Sequence, residues 1–86
     1  MTTRTYNLQV ETSAKQLCGA DPNRKALVVV NNGTDTVYIL SAQPQTKNDG
    51  LPIYKQGSPY EDTFSHDELW IIAESGTQDV RVMVVS

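Results

Sequence analysis

The sequence predicts an all-β domain, a small β-sandwich or jelly-roll-like fold or a barrel, built from six to seven mostly antiparallel strands. Three observations predict it. Short runs rich in Val, Ile, Thr and aromatic residues recur along the chain, and several of them alternate apolar with polar residues at period two. Clusters of Gly, Pro, Asn and Asp punctuate these runs at roughly 8–12-residue intervals, the rhythm of a sandwich or barrel. Valine and threonine are the commonest residues, nine of each, and their branched Cβ loses side-chain freedom in a helix.

Taken in order, residues 1–5 are polar and are expected to form a flexible arm. Tyr6, Leu8 and Val10 then alternate with Asn7, Gln9 and Glu11, as in a half-buried edge strand. Ser13-Ala14-Lys15-Gln16-Leu17 suits one short helical turn, and only the 12–18 region has room for helix. Gly19-Ala20-Asp21-Pro22-Asn23 is a turn cluster. Ala26-Leu27-Val28-Val29-Val30 is continuously apolar, which predicts a strand covered on both faces. Asn31-Asn32-Gly33 follows. Asn-Gly tolerates positive φ and is the strongest hairpin signal in the chain, so 26–40 reads as a hairpin returning through Thr36-Val37-Tyr38-Ile39-Leu40.

Residues 41–50 form a long loop whose only apolar side chain is Ala42. Loops of this length in compact domains are often functional or mobile. Leu51-Pro52-Ile53-Tyr54-Lys55 is a short strand that Pro52 places at an edge or a strand start. Gln56-Gly57-Ser58-Pro59 turns the chain into a further short strand over 60–64. The segment 69–85 reads as a second hairpin, with apolar runs at 69–73 and 80–85 around a polar connection. In the second run Val80, Val82 and Val84 point one way, and Arg81, Met83 and Val85 the other. The two hairpins are expected to supply most of the core. Their likeness, an apolar run before a Gly-Thr step in each, would suit a duplication, but shared turn chemistry is the better reading.

Eighty-six residues make one domain with a modest core, burying roughly 60–65% of the surface the unfolded chain exposes. The formal charge of −3, ten acids against seven bases, disfavours nucleic acid as a partner, since phosphate binding needs clustered Lys and Arg. The nearest approach to a basic patch is Arg24-Lys25. No apolar run nears the roughly 18–20 residues of a membrane span. No apolar stretch follows Met1 as in a secretory leader, so a soluble product made in a cytoplasm is expected. Cys18 is the one cysteine. It offers no internal disulfide or cysteine metal site and reads as a small half-buried hydrophobe.

The richest polar cluster is Glu61, Asp62, His66, Asp67 and Glu68. Oxygen ligands suit a hard cation, but the spacing matches no cation loop, and a solvated acidic rim beside a strand is the expected reading. No metal or other cofactor is predicted. His66 lacks a framed nucleophile, no Gly-x-Ser-x-Gly elbow is present, and there is no phosphate-binding Gly loop. The chain is therefore not expected to be an enzyme. Trp70, between Leu69 and Ile71, belongs to the core or to a subunit interface. Tyr54 and Tyr60 flank a Gly-Pro turn, where they serve either a contact surface or the rim of the core.

The pattern Asn23-Arg24-Lys25-Ala26-Leu27-Val28-Val29-Val30-Asn31, then Val37-Tyr38-Ile39, Gly50-Leu51-Pro52-Ile53, Gly57-Ser58-Pro59, Leu69-Trp70-Ile71-Ile72-Ala73 and Asp79-Val80-Arg81-Val82 resembles small virion structural proteins of tailed bacteriophages. The resemblance rests on strand apolars and turn glycines and carries no functional residue with it. It implies a non-enzymatic virion protein, made in a bacterial cytoplasm, that decorates and stabilises the head shell by binding the major capsid protein. It further implies a homo-oligomer, a trimer by preference. Contacts are expected at Arg4 on the arm, at Gln43, Gln45 and Lys47 on the loop, and at Tyr54 and Tyr60. The alternatives are a tail or fibre module that binds a host surface, and a small intracellular ligand-binding or enzymatic barrel with His66 at its mouth.

Overall fold

The structure is a computed structural model that describes residues 2–63 and 65–86. Eight strands form among these residues: β1 (Thr3–Val10), β2 (Lys15–Cys18), β3 (Ala26–Asn31), β4 (Val37–Leu40), β5 (Leu51–Ile53), β6 (Tyr60–Asp62), β7 (Leu69–Ala73) and β8 (Gln78–Val85). The first sheet has the order β1-β8-β3-β6 and the second β2-β7-β4-β5. All pairings are antiparallel. The sheets stack as a sandwich with free edges, not as a closed barrel. One hydrophobic core lies between them, with Val10, Leu27, Val29, Val80, Val82 and Val84 from the first sheet meeting Leu17, Val37, Ile39, Ile53, Leu69, Ile71 and Ala73 from the second.

The extra strand lies where the sequence suggested a helical turn. Lys15–Cys18 is β2, paired with β7 and bulged between Gln16 and Cys18. Its local propensity yields to tertiary pairing, because Leu17, at 3% exposed, fills the core from a strand. The only helical element among the described residues is a single 3-10 turn, Lys47–Asp49, within the long loop. The expected arm is also largely absorbed. β1 starts at Thr3, and Thr2 and Ser86 exchange both backbone hydrogen bonds. Phe64, assigned by sequence to the strand now called β6, lies outside the described residues, as does Met1.

Neither predicted hairpin exists. β3 belongs to the first sheet and β4 to the second, while β7 belongs to the second and β8 to the first. Both connections therefore cross the sandwich as corners. Pairing is nested instead: β1 with β8, β2 with β7, β3 with β6, and β4 with β5. The chain behaves as one long hairpin whose arms bend together from sheet to sheet.

Two buried amides build those corners. Asn31 Nδ2 donates to the carbonyls of Asp35 and Ile53, both at 2.8 Å, and its Oδ1 accepts the Gly33 amide at 2.9 Å. Gln78 Oε1 accepts the amides of Thr34 and Asp35 at 2.7 and 3.1 Å, and its Nε2 donates to the Ser75 carbonyl at 2.8 Å. Each of these residues is 3% exposed. Backbone bonds from Asn32 to Asp79 and from Glu74 to Thr36 lace the two corners together. Gly33 is thus needed for room and not for its φ: a Cβ there would lie 2.2 Å from Gln78 Oε1. The corner glycine with a left-handed backbone is Gly76, at φ 58°.

Gln78→Ala removes the acceptor of two part-buried corner amides and the buried side chain that holds them. It is expected to lower the unfolding free energy by about 2–4 kcal/mol in a urea titration, since each unsatisfied group costs about 1–3 kcal/mol. Asn32→Ala, on the exposed side of the same corner, is expected to change it by no more than about 0.5 kcal/mol.

Candidate interaction surface

The six contact residues expected from sequence do not converge. Arg4 lies on β1 and Tyr60 on β6, the opposite edges of the first sheet. Tyr60 is half-buried, packs against the core and donates its hydroxyl to Asp62. Gln43, Gln45 and Lys47 hold their own loop in place. Gln45 accepts the Ser41 amide, Gln43 accepts the Gln45 amide, and Lys47 pairs with Glu74. Tyr54 is open to solvent at 64%.

The 41–50 loop matters for what it covers. Gly50 sits so close to β4 that a Cβ there would be 2.7 Å from Tyr38 Cβ and 2.9 Å from Leu40 Cδ2. Leu40, opposite Trp70, is only 1% exposed, although it stands outside the inter-sheet core cluster. The outer face of the second sheet is therefore partly roofed by its own chain. Trp70 is half-buried on that face and donates its indole N–H to Glu68.

Among the described residues, no segment roofs the first sheet in this way. β3 reads as a strand covered on both faces, but the described residues cover only one. Leu27 and Val29 are buried, Val28 is half-buried and Val30 is 37% exposed. Across the ladder Val28 faces Met83, itself 39% exposed, and Ala26 faces Val85. The strands on either side continue these rows with Thr5 opposite Met83 and Glu61 opposite Val28. A shallow groove of about 430 Å³ runs here, with Thr5, Asn7, Val28, Val30, Arg81 and Met83 on its walls. The charges at its end are mutually satisfied. Arg81 donates twice to Asp79, at 2.9 Å in the closer contact, and its guanidinium holds the Asp79 carboxyl below the usual carboxylate range. The result is an apolar strip with Thr5 and Asn7 on one side, Glu61 on the other and Arg81 at its end.

The acidic cluster is dispersed into local bonds. Asp62 accepts the Ser65 amide, Glu68 accepts from Gln16 and Trp70, and His66 is exposed. No three His, Cys, Asp or Glu side chains come together among the described residues in a way that could hold an ion. Sequence reasoning missed Arg24, read there as part of a surface patch. It is 3% exposed. Its Nη1 donates to Gly19 O and Cys18 Sγ, and its Nη2 to Ser65 O and Asp67 O, both at 2.8 Å. All four acceptors are neutral, so Arg24 acts as a clamp that ties the 65–67 segment to the β2–β3 connection. A turn cluster just before it, Asp21-Pro22-Asn23, was the sole sequence signal. Cys18 is held between β7 and this clamp, and burial pushes its thiol up from the ordinary value.

Comparison with family models, curated proteins and solved structures finds no match to the chain.

Arg24→Met removes charged hydrogen bonds that no neutral side chain can replace. It is expected to destabilise the protein by about 2–3 kcal/mol and to raise deuterium exchange over 65–68. A second expectation concerns acid. The Asp35 carboxyl is drawn down by the Ser75 hydroxyl and the Thr36 amide, and Asp79 by Arg81. Both titrate below the ordinary aspartate value of about 3.9. The stability they add is complete above about pH 4 and is lost as pH falls through their lower folded values. Stability measured by urea against pH should therefore be flat in these groups near neutrality and decline in acid, with a shallower decline in Asp79→Asn.

Proposed function

We propose that this chain is a non-catalytic structural module that docks onto a larger protein shell through the outer face of its first sheet. The observation that carries the reading is the exposed apolar strip on β3 and β8. These are the two central strands of the sheet, and the described residues cover only their inner side. The nested strand pairing supports it, since this is the connectivity of a jelly roll, a compact eight-stranded scaffold with its loops at the ends. The resemblance to small structural proteins of tailed bacteriophages names the shell: a phage head, with the major capsid protein as the surface bound. On this reading the protein is a decoration protein that reaches the virion after synthesis in the bacterial host, and it works in several copies.

Binding on this face has a concrete signature. The purified protein is expected to co-sediment with phage head shells stripped of decoration and to raise their resistance to heat. Met83→Lys puts a charge in the middle of the strip while leaving the core untouched. It should weaken shell binding by about tenfold or more, which is about 1.4 kcal/mol, with an unchanged melting curve. Retention of full binding by Met83→Lys would remove this face from the reading, and adsorption to host cells without shell binding would replace the head by the tail.

A further inference from the structure

Three of the four sheet edges are guarded. β5 has three residues including Pro52, β6 has three residues and follows Pro59, and β2 has four residues and a bulge. Short strands, prolines and bulges are the usual devices against pairing with another chain. β1 is the fourth edge. It runs for eight residues without proline or glycine, in unbroken register with β8.

The phase of that ladder is fixed. Thr2 and Ser86 exchange both N–H···O bonds, at 2.7 and 2.8 Å. In an antiparallel pair such exchanges alternate along the strand. The even-numbered residues of β1 therefore bond β8, and the N–H and C=O groups of Thr3, Thr5, Asn7 and Gln9 point away from the sheet. Lys15 Nζ caps the Gln9 carbonyl at 3.4 Å, and the Ala73 amide takes the Glu11 carbonyl at 2.8 Å. From Thr3 to Asn7 the edge stays open. Thr3, Thr5 and Asn7 are exposed, and no backbone bond reaches their outward groups from any described residue.

We propose that this open edge pairs with the same edge of a second copy of the chain. The strands run antiparallel about a two-fold axis at Thr5, so that two first sheets become one continuous sheet. Lys15 sets the register, because it limits the free stretch to residues 3–7, and Thr5 is their centre. On the outer face Thr5 meets Thr5 of the second copy, and Thr3 meets Asn7. Small hydroxyl and amide pairs of this kind are favourable across strands.

The inner face selects the occupant. Arg4 points inward on an edge strand, a feature that repels an apolar strand from elsewhere. Its guanidinium carbon already lies 5.3 Å from the ring centroid of Tyr6, and no carboxylate lies within ion-pair distance of it among the described residues. In the two-fold register Arg4 stands opposite Tyr6 of the second copy. Each cation then gains a second ring face, while the two Arg4 side chains remain diagonal neighbours at roughly 7–8 Å. The strand that complements Arg4 is its own copy. A two-fold contact closes at two chains, in place of the three-fold order expected from the resemblance. It stands independently of shell binding.

Sedimentation velocity on the purified protein across a wide concentration range tests it. Thr5→Pro deletes an N–H that faces solvent and leaves every β1–β8 bond in place. Thr5→Lys sets two like charges against each other on the axis and needs no backbone change. The wild type is expected to sediment as a dimer, and both variants as monomers with unchanged circular dichroism, the dissociation constant rising by about tenfold or more. If Thr5→Pro unfolds, Thr5→Lys decides. A wild type that stays monomeric at every concentration, a trimer, or a dimer that survives both folded variants would each overturn the proposal. A failure here leaves the stripped-shell experiment intact, because that experiment reads Met83 and not Thr5.

Discussion

The constraint on which the rest of this fold depends is the satisfaction of backbone groups where the chain turns from one sheet to the other. A sandwich corner takes peptide groups out of both ladders close to the core, where unpaired donors are costly. Here two primary amides meet that demand. Asn31 ends β3 and Gln78 begins β8, so each stands where a strand leaves or enters the first sheet. Their side chains replace the missing ladder partners of the neighbouring corner residues. Once these corners are fixed, β3 and β8 lie side by side, and the apolar rows of both sheets fall into register over a single core.

Much of the strand content was legible because alternation is a local signal. Tyr6, Leu8 and Val10 face inward on β1, and Val80, Val82 and Val84 face inward on β8, as period two requires. The partners were not legible. Asn-Gly after an apolar run carries the signature of a tight hairpin, yet Gly33 serves a close approach to Gln78, forty-five positions further along the chain. Nothing within the local window announces a contact at that separation. β2 escaped for a related reason: four residues with a bulge carry too little pattern to outweigh helix-compatible Ala, Lys, Gln and Leu.

The surface was legible in part. The continuous run 26–30 predicts a strand covered on both faces, and the described residues cover only one of them. The long 41–50 loop, of a length often functional or mobile, lies on the second sheet against Tyr38 and Leu40. The polar positions that looked most available, Gln43, Gln45 and Lys47, hold this roof in place. Arg24 shows the same inversion. Sequence places a cation at a turn, and the fold buries it to gather carbonyls from two distant segments. Polar residues at a small core's boundary serve structure first, so exposure cannot be read from residue type.

The nested pairing also sets the order in which this protein can be finished. β8 comes after the other seven described strands in chain order, yet it is an inner strand of the first sheet, bonded to β1 on one side and β3 on the other. Until it emerges, β1 has no neighbour, and the apolar β3 has only the three-residue β6. Completion of the first sheet therefore waits for β8, and loss of β8 would remove the middle of a sheet, not fray an edge. The exposed interval is when such strands are most vulnerable to pairing with other nascent chains.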